Sequence, residues 1–217
     1  MNTYIMALGS NMGDSLGILQ SAFKRLGEEN VYILKASSFY RTKPWGKTDQ
    51  PDFINAAALV AWEGTAEELM TLFLKIEKEF GRKRDIHWGP RSLDLDLIYS
   101  DCVRSETDFL RLPHPYFWER PFVLVPLEEI LPDFVYDHET IHHRIESLDG
   151  YKDLVKLDKE GKEMSKCRQF PCFGGSRFVS IGGITCRPIF MPSMAVPKFS
   201  YLLRSWKSWK EQYPPNS

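Results

Sequence analysis

The fold turns on residues 53–99, which carry FINAAALVAW (53–62), TAEELMTLFLKIEKEFG (65–81) and LDLDLIY (93–99). The first run is apolar and reads as a buried strand, although its alanines leave a helix open. In the second, Thr65 and Glu68 form a capping box, the hydroxyl serving free amides and the carboxylate reaching back. The helix so started would bury Leu69, Leu72, Phe73, Ile76 and Phe80, which recur at helical intervals, and Gly81 stands where a left-handed C-cap belongs. After a polar loop, 82–92, the third run alternates strictly and predicts a strand over Leu93–Tyr99.

Working outward, Tyr4–Leu8 is a short apolar run that predicts another buried strand, stopped by the turn-rich Gly9-Ser10-Asn11-Met12-Gly13. Asp14 can cap a helix whose apolar face is Leu16, Leu19, Phe23 and Leu26. Val31–Leu34 and Ser38–Tyr40 read as the next strand, and Lys43–Pro51 as a loop. The order strand, helix, strand, strand, helix, strand is the split βαβ pattern of an α+β, ferredoxin-like βαββαβ core.

Composition bounds the class. The chain has 217 residues, 43% hydrophobic, enough for a core and for one domain with an appendage. Its net charge of −1 excludes a uniformly basic nucleic-acid binder. That balance hides a seam: residues 1–164 carry 20 basic and 28 acidic side chains, whereas 165–217 carry 8 basic side chains and a single acid, Glu211. We read 1–164 as the folded domain and 165–217 as a basic extension of uncertain order. No apolar run approaches the ~20 residues of a membrane span, and the first residues offer no basic signal-peptide region. Four cysteines make no disulfide framework, so the expected location is cytoplasmic.

The alternation of Leu93-Asp94-Leu95-Asp96-Leu97 puts both carboxylates on one face, about 6.5–7 Å apart along the strand. Asp is depleted in strands, so a pair of them has either a solvated outer face or a task. Magnesium is commonly held by one or two carboxylates plus substrate phosphates. The upstream loop Arg82-Lys83-Arg84-Asp85-Ile86-His87-Trp88-Gly89-Pro90-Arg91 supplies guanidinium groups of the kind that neutralise phosphate oxygens.

Other motifs fail. No G-x-G-x-x-G occurs, and Gly46-Lys47-Thr48 lacks the upstream glycine of a P-loop, where Arg41 stands instead. Cys167, Cys172 and Cys186 have no histidine beside them, which disfavours zinc, and His142-His143 reads as a surface pair.

Four blocks then resemble one family, the 6-hydroxymethyl-7,8-dihydropterin pyrophosphokinases: ALGSNMGD (7–14), SSFYRTKPWGKTDQPDFINA (37–56), IEKEFGRKRDIHWGPRSLDLDLIY (76–99) and LPHPYFWERPFVLVPLEEILP (112–132). The resemblance implies an α/β sandwich and transfer of an intact pyrophosphoryl group from ATP to the pterin hydroxymethyl oxygen, releasing AMP. It implies Asp94 and Asp96 as ligands of two magnesium ions, with Asp96, Arg82 and Arg91 catalytic. It implies ATP contacts from Glu77, Arg84, Trp88, His114 and Arg120. For the pterin it implies stacking by Phe53 and Phe122, an in-plane partner in Asn55, and walls from Gly9, Thr42 and Trp45. Phe53 and Phe122 are equally compatible with plain core packing on their own. Two alternatives stand beside this reading: a ferredoxin-like binding module whose basic extension docks on nucleic acid, which the composition disfavours, and an inactive relative that only binds pterin.

Overall fold

The computed structural model describes residues 1–44, 49–81, 91–158 and 160–164. The order of elements is β1 (Asn2–Ser10), α1 (Ser15–Glu28), β2 (Tyr32–Ala36), β3 (Phe39–Thr42), β4 (Phe53–Trp62), α2 (Ala66–Glu79) and β5 (Asp94–Tyr99). Two short hairpin strands follow, β6 (Ser105–Glu106) and β7 (Arg111–Leu112), then α3 (Pro121–Ile130). Another hairpin, β8 (Val135–Tyr136) and β9 (Glu139–Thr140), leads to α4 (Ile141–Ser147) and β10 (Val155–Leu157).

β1 lies between β4 and β5, antiparallel to both, and β2 pairs antiparallel with β4. That is the expected split βαβ arrangement, widened by β10, which adds to the far edge along β3. The run 53–62 is a strand, not a helix: every one of its residues pairs with β1 or β3, leaving no chain for a helical ladder.

The stretch expected as one strand after α1 is two, both lying along β4 and broken at Ser37. Ser37 N–H donates to the Ala57 carbonyl at 2.9 Å, and its Oγ accepts the Ala57 N–H at 3.0 Å. A side chain therefore does the pairing that backbone would do in an unbroken strand.

Alternation along the strands divides the core in two. Tyr4, Met6 and Leu8 of β1, Ala56, Ala58 and Val60 of β4, and Leu95 and Leu97 of β5 pack with Leu19 and Leu26 of α1 and with Leu69, Phe73 and Ile76 of α2. On the other face Ile5, Ala57, Leu59 and Ile98 pack against Val123, Leu124 and Leu127 of α3 and Ile141 and Ile145 of α4. A register shift beside Met6 lets Ile98 and Tyr99 both join this second layer. The result is a sheet sandwiched between helix layers.

Both expected caps form. Asp14 accepts the Gly17 N–H at 3.1 Å. Thr65 Oγ1 accepts from Glu68 N at 3.1 Å while Glu68 accepts from Thr65 N at 2.7 Å, completing the capping box. Gly81 is left-handed at φ 79°. Replacing Thr65 by Ala removes a cap remote from the site. Equilibrium urea unfolding should show a loss of about 1 kcal/mol with the m-value and turnover unchanged.

Candidate active site

The register of the sheet builds the site row by row. Tyr40 on β3 stands opposite Asn55 on β4, Asn55 opposite Gly9 on β1, and Gly9 opposite Asp94 on β5. Directly opposed residues point to the same face, so these four side-chain positions form one line. A neighbouring row runs from Ala57 through Ala7 to Asp96, and on the other side Thr42 opposes Phe53. All of these lie on the α3 face, opposite the leucines of β5.

One cavity opens over these rows. Its lining includes Ala7, Gly9, Thr42, Phe53, Asn55, Arg91, Asp94, Asp96, Arg120 and Phe122, together with Lys43, Gln50 and Val123. The small residues matter because Ala7 and Gly9 leave the floor open between the carboxylates and the amide. A Cβ at Gly9 would stand 3.0 Å from Asn55 Oδ1, tighter than ordinary contact. Asn55 is buried, and its Nδ2 donates to Thr42 Oγ1 at 2.8 Å, which fixes the amide and sets Oδ1 above Gly9.

The aspartates share a face, as the alternation predicts. Arg91 is ion-paired to Asp94 through its Nη1. Asp96 has its pKa pushed up to about 7, first by burial and then by the Asp94 charge, with Arg120 and Arg91 acting in the opposite direction. A buried carboxylate beside a second one favours a bound proton or a cation.

His114 approaches the same region from the loop before α3. Its N–H donates to the Ile98 carbonyl at 2.8 Å, stitching this loop to β5. Its Nδ1 is buried without a hydrogen-bond partner among the described residues. Burial, and next the Arg120 cation, lower its pKa to about 4, so the ring is neutral at pH 7. Arg120 also lies over the Phe122 ring, 5.9 Å from its centroid.

Glu77 is placed elsewhere. It sits on α2, beneath the sheet, only 1% exposed, and its Oε1 accepts the Leu95 N–H at 2.8 Å. It therefore holds the backbone of the aspartate-bearing strand and does not line the cavity. Trp45, Arg82, Arg84 and Trp88 lie outside the described residues.

Sequence reading missed Asn11. This buried residue accepts the Arg91 N–H at 2.7 Å, and its Nδ2 donates to Gln50 Oε1 at 3.2 Å and to the Pro51 carbonyl at 3.3 Å. It ties the turn after β1 to both loops that flank the cavity. The available signal was a polar residue directly after a buried strand, in a stretch read only as a turn.

The neutral His114 has a measurable consequence. Its folded pKa, about 4, lies below the ordinary 6.5, so the unfolded chain binds the extra proton first. Its contribution is fully present above pH 6.5 and is lost as pH falls toward 4, up to about 3 kcal/mol. Chemical denaturation of wild type and His114→Gln across that window should show a shallower pH slope in the variant. Equal slopes would contradict the buried neutral ring.

Comparison with known proteins identifies the family. A family profile described as 7,8-dihydro-6-hydroxymethylpterin-pyrophosphokinase (HPPK) matches residues 5–132. A 2-amino-4-hydroxy-6-hydroxymethyldihydropteridine pyrophosphokinase from Methylorubrum extorquens is 40% identical over 150 residues, covering 69% of this chain and 95% of the relative. A protein of the same name from Synechocystis sp. is 41% identical over 148 residues, covering 67% and 75%. A solved HPPK-DHPS from Plasmodium falciparum, crystallised with pteroate, shares the fold with a TM-score of 0.58 at 12% identity over 76% of this chain. The chain spans about half of that solved chain (48%). With more than half of its length matched by the family profile, the chain belongs to the 7,8-dihydro-6-hydroxymethylpterin-pyrophosphokinase family, whose pyrophosphokinase activity in folate biosynthesis it carries.

Proposed function

We propose that the cavity is where pyrophosphate passes from ATP to 6-hydroxymethyl-7,8-dihydropterin, giving AMP and the pterin diphosphate. The observation that carries this is the meeting of two aspartates, two arginines, a buried amide and two aromatic rings around one opening. The pterin is flat and polar, so it needs aromatic faces and in-plane hydrogen bonds. Phe53 and Phe122 offer the faces, Asn55 offers Oδ1, and Gly9 and Thr42 shape the wall.

The donor set fits magnesium. Among the described residues no group of three or more Asp, Glu, His or Cys converges as a protein-only cage. Two carboxylates on one face, one with a raised pKa, instead suit a hard cation completed by water and phosphate oxygens. Magnesium at Asp94 and Asp96, two ions in our reading, would supply charge neutralisation for the triphosphate. Arg91 and Arg120 act on the remaining phosphate charge, and Arg82, Arg84, Trp88 and the neutral His114 complete the ATP side. Asp96 orients the attacking hydroxyl. Glu77 acts from beneath, through the Leu95 amide, and Trp45 belongs to the pterin wall.

We assign this work to residues 1–164, with 165–217 as a basic extension. Among the described residues no helix is long and apolar enough to cross a membrane. The location we propose is cytoplasmic, where the exposed thiol of Cys102 would stay reduced.

The direct assay follows AMP release from ATP. AMP should form only when hydroxymethyl-dihydropterin and magnesium are both present, in the full chain and in residues 1–164. Asp96→Ala should lower turnover by roughly two orders of magnitude or more while circular dichroism stays that of wild type; surviving turnover would remove the metal assignment. Gly9→Ala displaces the Asn55 amide, so the KM for pterin should rise about tenfold, well beyond any change in the KM for ATP.

A further inference from the structure

One carboxylate outside the cavity gathers four donors. Glu129, in the last turn of α3, accepts the Ser38 N–H at 3.0 Å and the Tyr40 hydroxyl at 2.9 Å on Oε2. Its Oε1 accepts the Ser38 hydroxyl at 2.8 Å and the Lys156 ammonium at 2.9 Å. A carboxylate offers about four lone-pair positions, so this set saturates it. Burial alone would raise its pKa, but the bonds from Lys156, Ser38 and Tyr40 outweigh that and lower it. The group is thus an anion at neutral pH.

The placement of its partners gives the cluster a direction. Lys156 on β10 opposes Tyr40 on β3, and Tyr40 opposes Asn55 on β4, so the clamp grips the same row of the sheet that carries the cavity's buried amide. Along α3, Glu129 stands seven residues after Phe122, two turns on and on the same side of the helix. One end of this side therefore presents the ring to the cavity, and the other is bolted to the row beneath. The ladder of α3 lacks one bond, because Pro126 inside it has no N–H to give to the preceding turn.

We infer that Glu129 is a positioning residue for the pterin slot, setting the height of α3, and so of the Phe122 ring, above the Tyr40–Asn55 row. It does not line the cavity. The inference rests on the reading of this cavity as the pterin site. A clamp serving stability alone would lower the melting temperature and leave substrate affinities in proportion. A clamp that sets the slot changes one substrate selectively.

The test uses steady-state kinetics and thermal unfolding on the full chain with Glu129→Gln and Tyr40→Phe. The first replaces two acceptor sites with an amide that opposes the donors, and the second removes one donor and keeps the ring, so a folded variant is in hand if Glu129→Gln does not fold. Glu129→Gln should raise the KM for pterin roughly fivefold or more, with the KM for ATP and kcat within about twofold of wild type. Tyr40→Phe should move the pterin KM the same way by less. A lowered melting temperature with unchanged pterin KM in a folded variant overturns the inference while wild type remains active. A wild-type chain without pterin-dependent AMP release overturns the site reading and the inference with it.

Discussion

Two carboxylates forced onto the same face of one edge strand are the constraint around which this molecule is arranged. Burial, and after it the Asp94 charge, raise the affinity of Asp96 for a proton, which is why its pKa rises to about 7. The fold accepts that conflict and holds it in place. Leu93, Leu95 and Leu97 are locked into the core formed with α1 and α2, so β5 cannot roll. A slip of one residue would drive both acids into that core. From beneath, Glu77 takes the Leu95 amide. Arg91 and Arg120 bring opposing charge on the cavity side, and Ala7 and Gly9 keep the neighbouring strand from filling the space.

Much of this was legible because it is local. A period of two over Leu93–Leu97 fixes which face each aspartate takes, and the capping box at Thr65 fixes where α2 starts. Neither needs knowledge of distant chain. The aromatic pair was legible only through resemblance, since Phe53 and Phe122 by themselves read equally well as core.

What the sequence did not disclose depends on partners far along the chain. α3 hides behind Pro121 and Pro126, yet Pro121 is at its first turn, where no N–H is needed, and apolar burial under Val123, Leu124 and Leu127 carries the interior proline. The break between β2 and β3 depends on Ser37 finding Ala57. Asn11 acquires meaning only when Arg91, Gln50 and Pro51 are brought to it, and Glu129 only when β3 and β10 arrive beside α3. Local chemistry gave the reacting groups, and long-range packing gave the frame that spaces them.

The central claim is that Asp94 and Asp96 act together on a divalent ion shared with ATP. Electron paramagnetic resonance of manganese with a non-hydrolysable ATP analogue reads this without turnover. The account expects wild type to take manganese from solution only when the analogue is present, and a folded Asp94→Asn, Asp96→Asn double variant to lose that uptake. Undiminished uptake in the double variant would show that the ion is held elsewhere and would contradict the account at its base.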